Sequence, residues 1–276
     1  MQLGRYNTLE VRRIVDFGAY LADDEGNEVL LPSRYLTEVP KIGAKMDVFV
    51  YTDSEDRPVA TTERPFAQVG EVAFLQVAEV NRIGAFLDWG LMKDLLVPYR
   101  EQKYDMKQGG VYPVYLFVDD ASGRVTATAK IEKYLGNVFP TYRKGDKVKA
   151  LILQHTERGY KAVVDNLHYG MIYHNELYRD VAIGNELEAY VKQVRDNGKI
   201  DLTLNDYVTE RIPELAHNIL GRIRANGGYI QVTDRSTPEE IKQLFHCSKK
   251  DFKKAVGALY KEHLITIEEA GLRASV

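Results

Sequence analysis

The pentapeptide Phe17-Gly18-Ala19-Tyr20-Leu21 recurs further along the chain as Ile83-Gly84-Ala85-Phe86-Leu87. The flanking sequence repeats in the same register, because residues 29–32 match 95–98 and residues 59–62 match 125–128. Several matches at one constant offset indicate two copies of a single structural unit.

Glycine spacing reveals a third copy of the unit. Three glycines recur in each copy, and the same two intervals separate them every time. The three sets are Gly4, Gly18 and Gly43; Gly70, Gly84 and Gly109; and Gly145, Gly159 and Gly184. The interval from Gly70 to Gly145 is longer than that from Gly4 to Gly70, so the additional residues fall in the linker before the third copy.

Each copy has the pattern of about five short strands. Residues 187–192 alternate between apolar and polar, as a half-buried strand does, and Asp196-Asn197-Gly198 marks a turn. A unit of this size with five short strands can close into a small β-barrel of the OB-fold type. A closed barrel leaves no exposed strand edge. We predict OB-fold barrels over residues 1–63, 67–132 and 143–206, each with its own core, like beads on a string.

After residue 204 the apolar spacing changes from strand-like to helical. Residues 212–223 have helical spacing, and Gly227-Gly228 ends that helix. Thr237-Pro238-Glu239-Glu240 has the composition of a capping box with proline at the first helical position. Ser248 begins a third helix, and residues 265–274 suggest a terminal hairpin. We predict a winged-helix domain over residues 208–276. The predicted fold class is multidomain: three small all-β OB-fold barrels in tandem, then an α+β winged helix.

The repeated Gly-Ala-aromatic turn, together with the later glycine and the closing strand, resembles the S1-type RNA-binding domain. The third copy adds Gly170-Met171-Ile172-Tyr173-His174-Asn175-Glu176-Leu177, which is similar to a characteristic segment of that family. Three such domains followed by a winged helix resemble the bacterial conserved virulence factor B family, RNA-binding regulators of virulence gene expression. The resemblance covers essentially the whole chain.

The resemblance implies that aromatic side chains on one barrel face stack on RNA bases, at the positions of Phe17, Tyr20 and Phe86. Stacking tolerates any sequence because every base has a π-face. The copies depart from this pattern. Ile83 replaces Phe17 in the second copy, Arg158 and Lys161 replace the two rings in the third, and the family's histidine position holds Pro32, Pro98 and Tyr173. The alternative is that these rings only cap the barrels or pack between domains.

Net charge becomes less acidic along the chain. Residues 4–62 carry −4, residues 70–131 carry −1, residues 144–204 carry 0 and residues 210–276 carry +2. Because salt screens charges beyond about 8 Å, local charge decides where RNA binds. We expect the third copy and the winged helix to contact RNA, and the first copy to space or dock. The candidate phosphate contacts are Lys161, Arg195, Lys199, Lys250, Lys253 and Lys254, with Tyr173 and His174 as further stacking candidates. The helix lysines have a second interpretation, as a solvated helix face.

Several classes of function are not supported by any motif. The six histidines are scattered, Cys247 is the only cysteine, and there is no phosphate-binding glycine loop. The sequence thus predicts no enzyme, no cofactor and no metal site. The absence of a long apolar run predicts no membrane partner, and the single cysteine, which leaves no disulfide framework, favours a reducing cytoplasm. The predicted partner is RNA, preferably single-stranded. Two alternatives stay open: a winged-helix DNA-binding transcription regulator, and a scaffold docking onto the ribosome or RNA-decay proteins.

Overall fold

The computed structural model describes residues 1–174, 181–204 and 214–275. The first barrel consists of β1 (Arg5–Val15), β2 (Gly18–Ala22), β3 (Glu28–Pro32), β4 (Lys45–Thr52) and β5 (Pro58–Thr61). It closes in the order β1-β2-β3-β5-β4. All pairings are antiparallel except that of β3 with β5, which is parallel at Leu30 and Val59. This is the OB-fold predicted from the sequence.

The second and third barrels repeat that plan. The second contains β6 (Val72–Val80), β7 (Gly84–Asp88), β8 (Leu95–Pro98), β9 (Val111–Val118) and β10 (Val125–Thr128). The third contains β11 (Lys147–Thr156), β12 (Gly159–Val164), β13 (His168–Tyr173), β14 (Glu186–Val194) and β15 (Ile200–Thr203). The third barrel is closed, whereas the second is a five-stranded sheet with β8 and β10 at its ends. Those two strands still pack side by side, so the second barrel is nearly closed.

The repeated glycine at the start of the second strand has a steric cause. A Cβ on Gly18, Gly84 or Gly159 would lie 2.2, 2.3 or 2.0 Å from a backbone carbonyl oxygen of the neighbouring strand. No side chain fits at that distance, because real Cβ atoms essentially never approach so closely. The recurrence of this glycine in the sequence therefore indicates that the second and third strands lie in tight contact in every barrel.

Each barrel has its own core, as expected, and buried apolar contacts also join neighbouring barrels. Trp89, in the loop after β7, packs its indole against Phe49 and Tyr51 of the first barrel, with ring centroids 5.7 and 6.3 Å apart. The second junction buries Val72 and Leu151 in one apolar cluster that also includes the linker. Burial of this kind stabilises a fixed orientation between neighbouring barrels.

The C-terminal domain has the predicted winged-helix elements. They are α1 (Glu214–Ala225), β16 (Tyr229–Ile230), α2 (Pro238–Phe245), α3 (Lys249–Lys261), β17 (Ile265–Ile267) and β18 (Leu272–Ala274). Thr237 caps α2 as predicted, because its side chain accepts from the Glu240 amide and the Glu240 carboxylate accepts from the Thr237 amide. The core includes Ile219, Phe252 and Leu259.

Some sequence predictions fall outside the described residues. These are the boundary between 206 and 208, the first turn of the helix expected from 212, and residues 175–177 of the third S1-like segment. Within the part of the chain that is described, no helix is both long enough and apolar enough to cross a membrane.

Candidate nucleic-acid interface

The first barrel presents the predicted aromatic pair, but one ring is covered. Phe17, in the turn before β2, is 56% exposed, and its ring meets Tyr20 edge-on with centroids 6.5 Å apart. The Arg13 guanidinium lies 3.7 Å from the Tyr20 ring centroid and forms an ion pair of 3.0 Å with Glu28. A base that stacks on this face of Tyr20 would have to displace Arg13.

The second barrel places Phe86 half-buried on β7, opposite Leu96 of β8. Leu96 also lines a shallow cleft of about 270 Å³ that contains Arg100 and Arg124. Both guanidinium groups are paired with carboxylates. Arg100 lies 2.7 Å from Asp119, and Arg124 forms an ion pair with Asp56 of the first barrel. The cations of this face are therefore already compensated.

In the third barrel, Tyr173 and Arg195 belong to one hydrogen-bonded group around Asp201. Arg195 donates to the Asp201 carboxylate at 2.8 Å and to the Tyr173 hydroxyl at 2.7 Å. The Asp201 side chain is only 6% exposed, so this contact compensates a buried charge. The charge of Arg195 is committed within the barrel, which weakens the prediction that it contacts phosphate.

His174, the residue after β13, lies in a cluster of rings. It is exposed, and its imidazole centroid lies 5.3 Å from that of His155 and 6.4 Å from that of Tyr160. The sequence predicted His174 as a stacking residue but gave no sign of His155, because nothing in the linear pattern places β11 beside the end of β13.

Lys161 and Lys199 lie together at a cleft of about 530 Å³. We call it the linker cleft. It is lined by residues 135–140 of the linker after the second barrel, by Lys161 and residues 168–171 of the β12–β13 hairpin, and by residues 197–200 of the β14–β15 turn. The sequence predicted both lysines, but it did not predict that the linker forms the opposite wall.

The electrostatics of the linker cleft favour an anion. Burial lowers the pKa of Lys161, and the positive charges of Lys103 and Lys199 lower it further while Glu132 opposes them. The Lys161 ammonium lies 3.9 Å from the Tyr169 ring centroid, a cation–π contact. Among the described residues, neither Lys161 nor Lys199 has a carboxylate at ion-pair distance.

The lysines of α3 form a second positive surface. Lys250, Lys253 and Lys254 are all exposed on the side away from the buried Phe252, as predicted. Lys253 lies 3.7 Å from Asp234. In the wing, Glu268 accepts a hydrogen bond of 2.5 Å from Arg273, so part of the acidic charge that the sequence places there is compensated.

No group of three or more metal-ligating side chains lies together in the described ranges. The surfaces that remain as candidate sites are barrel faces, the linker cleft and the α3 lysines. This combination defines a class of protein: tandem OB-fold barrels with a winged helix, built from domain types that bind nucleic acid.

Comparison with protein families gives the particular family. The S1 domain model matches residues 3–63 and 69–130, and the CvfB-like winged helix domain model matches residues 217–273. The chain belongs to the conserved virulence factor B family.

Similar proteins extend over nearly the whole chain. Uncharacterized protein YitL of Bacillus subtilis is 27% identical over 270 residues, which are 95% of this chain and 90% of the relative. Conserved virulence factor B of Staphylococcus saprophyticus is 24% identical over 278 residues, 96% of this chain and 92% of the relative. A solved structure from Streptococcus pneumoniae is described as a multidomain protein with nucleic acid binding domains and is 23% identical to this chain. The match covers 99% of this chain and 98% of the solved chain, with a TM-score of 0.41.

Proposed function

We propose that this protein binds single-stranded RNA with low sequence specificity and regulates gene expression after transcription, in the cytoplasm and without catalysis. One observation carries the proposal. Arg13, Arg100, Arg124 and Arg195 are paired with carboxylates, whereas among the described residues Lys161 and Lys199 have no carboxylate at ion-pair distance. Uncompensated cations beside a cleft attract phosphate.

The form of the cleft favours single strands over duplexes. A recess walled by a linker and a hairpin admits an unpaired nucleotide, and proteins read unpaired RNA by stacking and by contacts to the 2′-hydroxyl. Arg273 partly compensates Glu268 in the wing, but the neighbouring Glu269 adds a negative charge that repels a duplex phosphate backbone. For these reasons RNA binding is favoured over the role of a DNA-binding transcription regulator.

The regulatory role follows from the family. The similar staphylococcal proteins are named conserved virulence factor B, and we extend to this chain a role in controlling gene expression, including virulence genes where the organism has them. The first barrel is assigned a docking role, because it carries a net charge of −4 over residues 4–62 and Arg13 covers Tyr20. Its docking partners would be ribosomal or RNA-decay proteins.

Salt-dependent binding tests the proposal. We expect Lys161→Gln/Lys199→Gln to weaken binding of a fluorescein-labelled single-stranded RNA decamer. The slope of log affinity against log salt should fall by about 0.7 for each lost phosphate contact. The matched control is Lys41→Gln/Lys45→Gln, two exposed lysines of the first barrel. Equal effects of the two double variants, or tighter binding of duplex DNA than of RNA at the same salt concentration, would contradict the proposal.

A further inference from the structure

The third barrel lacks aromatic rings at the two positions, one in the turn before the second strand and one on that strand, where the first barrel has them. Arg158 and Lys161 stand in place of Phe17 and Tyr20, and the ring of Tyr169 is already in contact with the Lys161 ammonium. This barrel nevertheless has the linker cleft, which Lys161 and Lys199 line. The rings of His155 and His174 do not line this cleft, so a base held in the cleft needs another ring to stack on.

Phe139, in the linker, provides an open ring at the required place. It lines the linker cleft and is 60% exposed, a large fraction for a phenylalanine. It lies against the β14–β15 turn, because two ring carbons are 3.6 Å from where a Cβ on Gly198 would be. The ring therefore rests against the turn that also carries Lys199.

The linker is held in place by the junction between the second and third barrels. Leu135 begins the cleft wall and is buried in the apolar cluster of that junction, where it is 4% exposed. Asn137 donates a hydrogen bond of 2.8 Å to the Lys133 carbonyl, which ties the next part of the wall to the preceding 3-10 turn. The linker before Phe139 is thus held in place before any ligand arrives, which lowers the entropy lost on binding.

We propose that Phe139 is the stacking residue of the third barrel, and that one base of single-stranded RNA lies on its ring in the linker cleft with the adjoining phosphates on Lys161 and Lys199. This inference rests on the proposed RNA binding. The cleft volume of about 530 Å³ is within the range of about 300–1,000 Å³ that is usual for small-ligand sites. It suits a single nucleotide and excludes a duplex.

Substitution of Phe139 tests the inference in the full chain. Phe139→Ala should weaken binding of the RNA decamer about 5- to 150-fold, the range for loss of one base–aromatic stack. The salt slope should stay unchanged, because no phosphate contact is lost. Phe139→Leu should weaken binding similarly while keeping an apolar side chain against Gly198, which separates stacking from packing.

The chain offers a matched control in its other linker. Phe66 lies between the first and second barrels and is 67% exposed, so Phe66→Ala removes a phenylalanine of similar exposure away from the linker cleft. Its affinity should equal that of the unaltered protein. If Phe139→Ala binds as tightly as Phe66→Ala, the inference is wrong although RNA binding stands. If the unaltered protein does not bind the decamer, both proposals fail.

Fluorescence gives an independent measurement. The chain has one tryptophan, Trp89, which is 2% exposed at the first junction. In a Phe139→Trp variant the added indole would be the accessible one, and we expect the RNA decamer to quench it with the same midpoint as binding. Saturable RNA binding without quenching would overturn the assignment of Phe139.

Discussion

Single residues show which parts of the site the sequence can and cannot predict. Gly159 was recognisable from spacing because the same steric requirement recurs in every copy: a Cβ there would lie 2.0 Å from the Ile172 carbonyl oxygen. The partner of Arg195 was not recognisable, since Asp201 and Tyr173 come together only when β13, β14 and β15 pair. The sequence therefore identified candidate cations but not which of them are compensated by carboxylates.

His168 makes stability depend on pH. It is 4% exposed, its Nδ1 has no hydrogen-bond partner among the residues that the structure describes, and burial lowers its pKa while Asp165 opposes the shift. The unfolded chain, with an ordinary histidine pKa of about 6.5, takes up the proton more readily than the folded barrel. The contribution of His168 to stability is full above about pH 6.5 and is lost as the pH falls towards the lower folded value.

The measurement is the pH dependence of unfolding followed by amide hydrogen exchange in β11–β15. We expect His168→Gln to flatten the loss of stability below about pH 6.5, where one group contributes at most about 1.4 kcal/mol per pH unit. His174→Gln, at an exposed position just after the same strand, is the control for a general effect of removing a histidine. An unchanged slope in His168→Gln would show that the imidazole titrates alike in both states.

At the scale of elements, local signals predicted the helices and most strands. The capping residues Thr237 and Ser248 begin α2 and α3 as the sequence indicated, because an N-cap depends on neighbours a few residues away. The missing ladder between β8 and β10 was not predictable from the repeat. Closure depends on the geometry of two strands that are distant in the sequence, and the sequence pattern of the second copy matches that of the first.

The cap of α2 gives a test at this scale. Thr237→Ala should destabilise the winged-helix domain by about 0.5–2 kcal/mol, because the Glu240 amide loses its acceptor. Thr237→Ser keeps the hydroxyl and should stay close to the unaltered protein. Thr266→Ala, at an exposed position on β17, serves as a matched control. Thermal unfolding measures all three, and equal melting temperatures for the two alanine variants would contradict the assigned role.

At the scale of the whole molecule, the arrangement of the barrels was beyond sequence analysis. Trp89 lies outside the repeated strands, and nothing in its local sequence shows that its indole meets Phe49 of another barrel. The same holds for the linker cleft, whose walls come from segments that the repeat pattern keeps separate. The barrel folds were predictable from one copy, whereas surfaces between copies required the structure.

The two junctions should therefore differ in their effect on RNA binding. Trp89→Ala removes a buried indole at the first junction and should cost about 3–5 kcal/mol of stability, with release of the first barrel visible as increased hydrogen exchange in β4 and β5. The linker cleft is built from the second linker and the third barrel, so RNA affinity should change little.

Leu135→Ala at the second junction should cost about 2–5 kcal/mol and also lower RNA affinity, because Leu135 holds the linker that carries Phe139. Comparing the two variants at a temperature where both remain folded separates loss of stability from loss of the site. If Trp89→Ala lowers RNA affinity as much as Leu135→Ala, the RNA surface extends across the first junction. The first barrel would then bind RNA despite its acidic charge, and the division of labour among the barrels would be wrong.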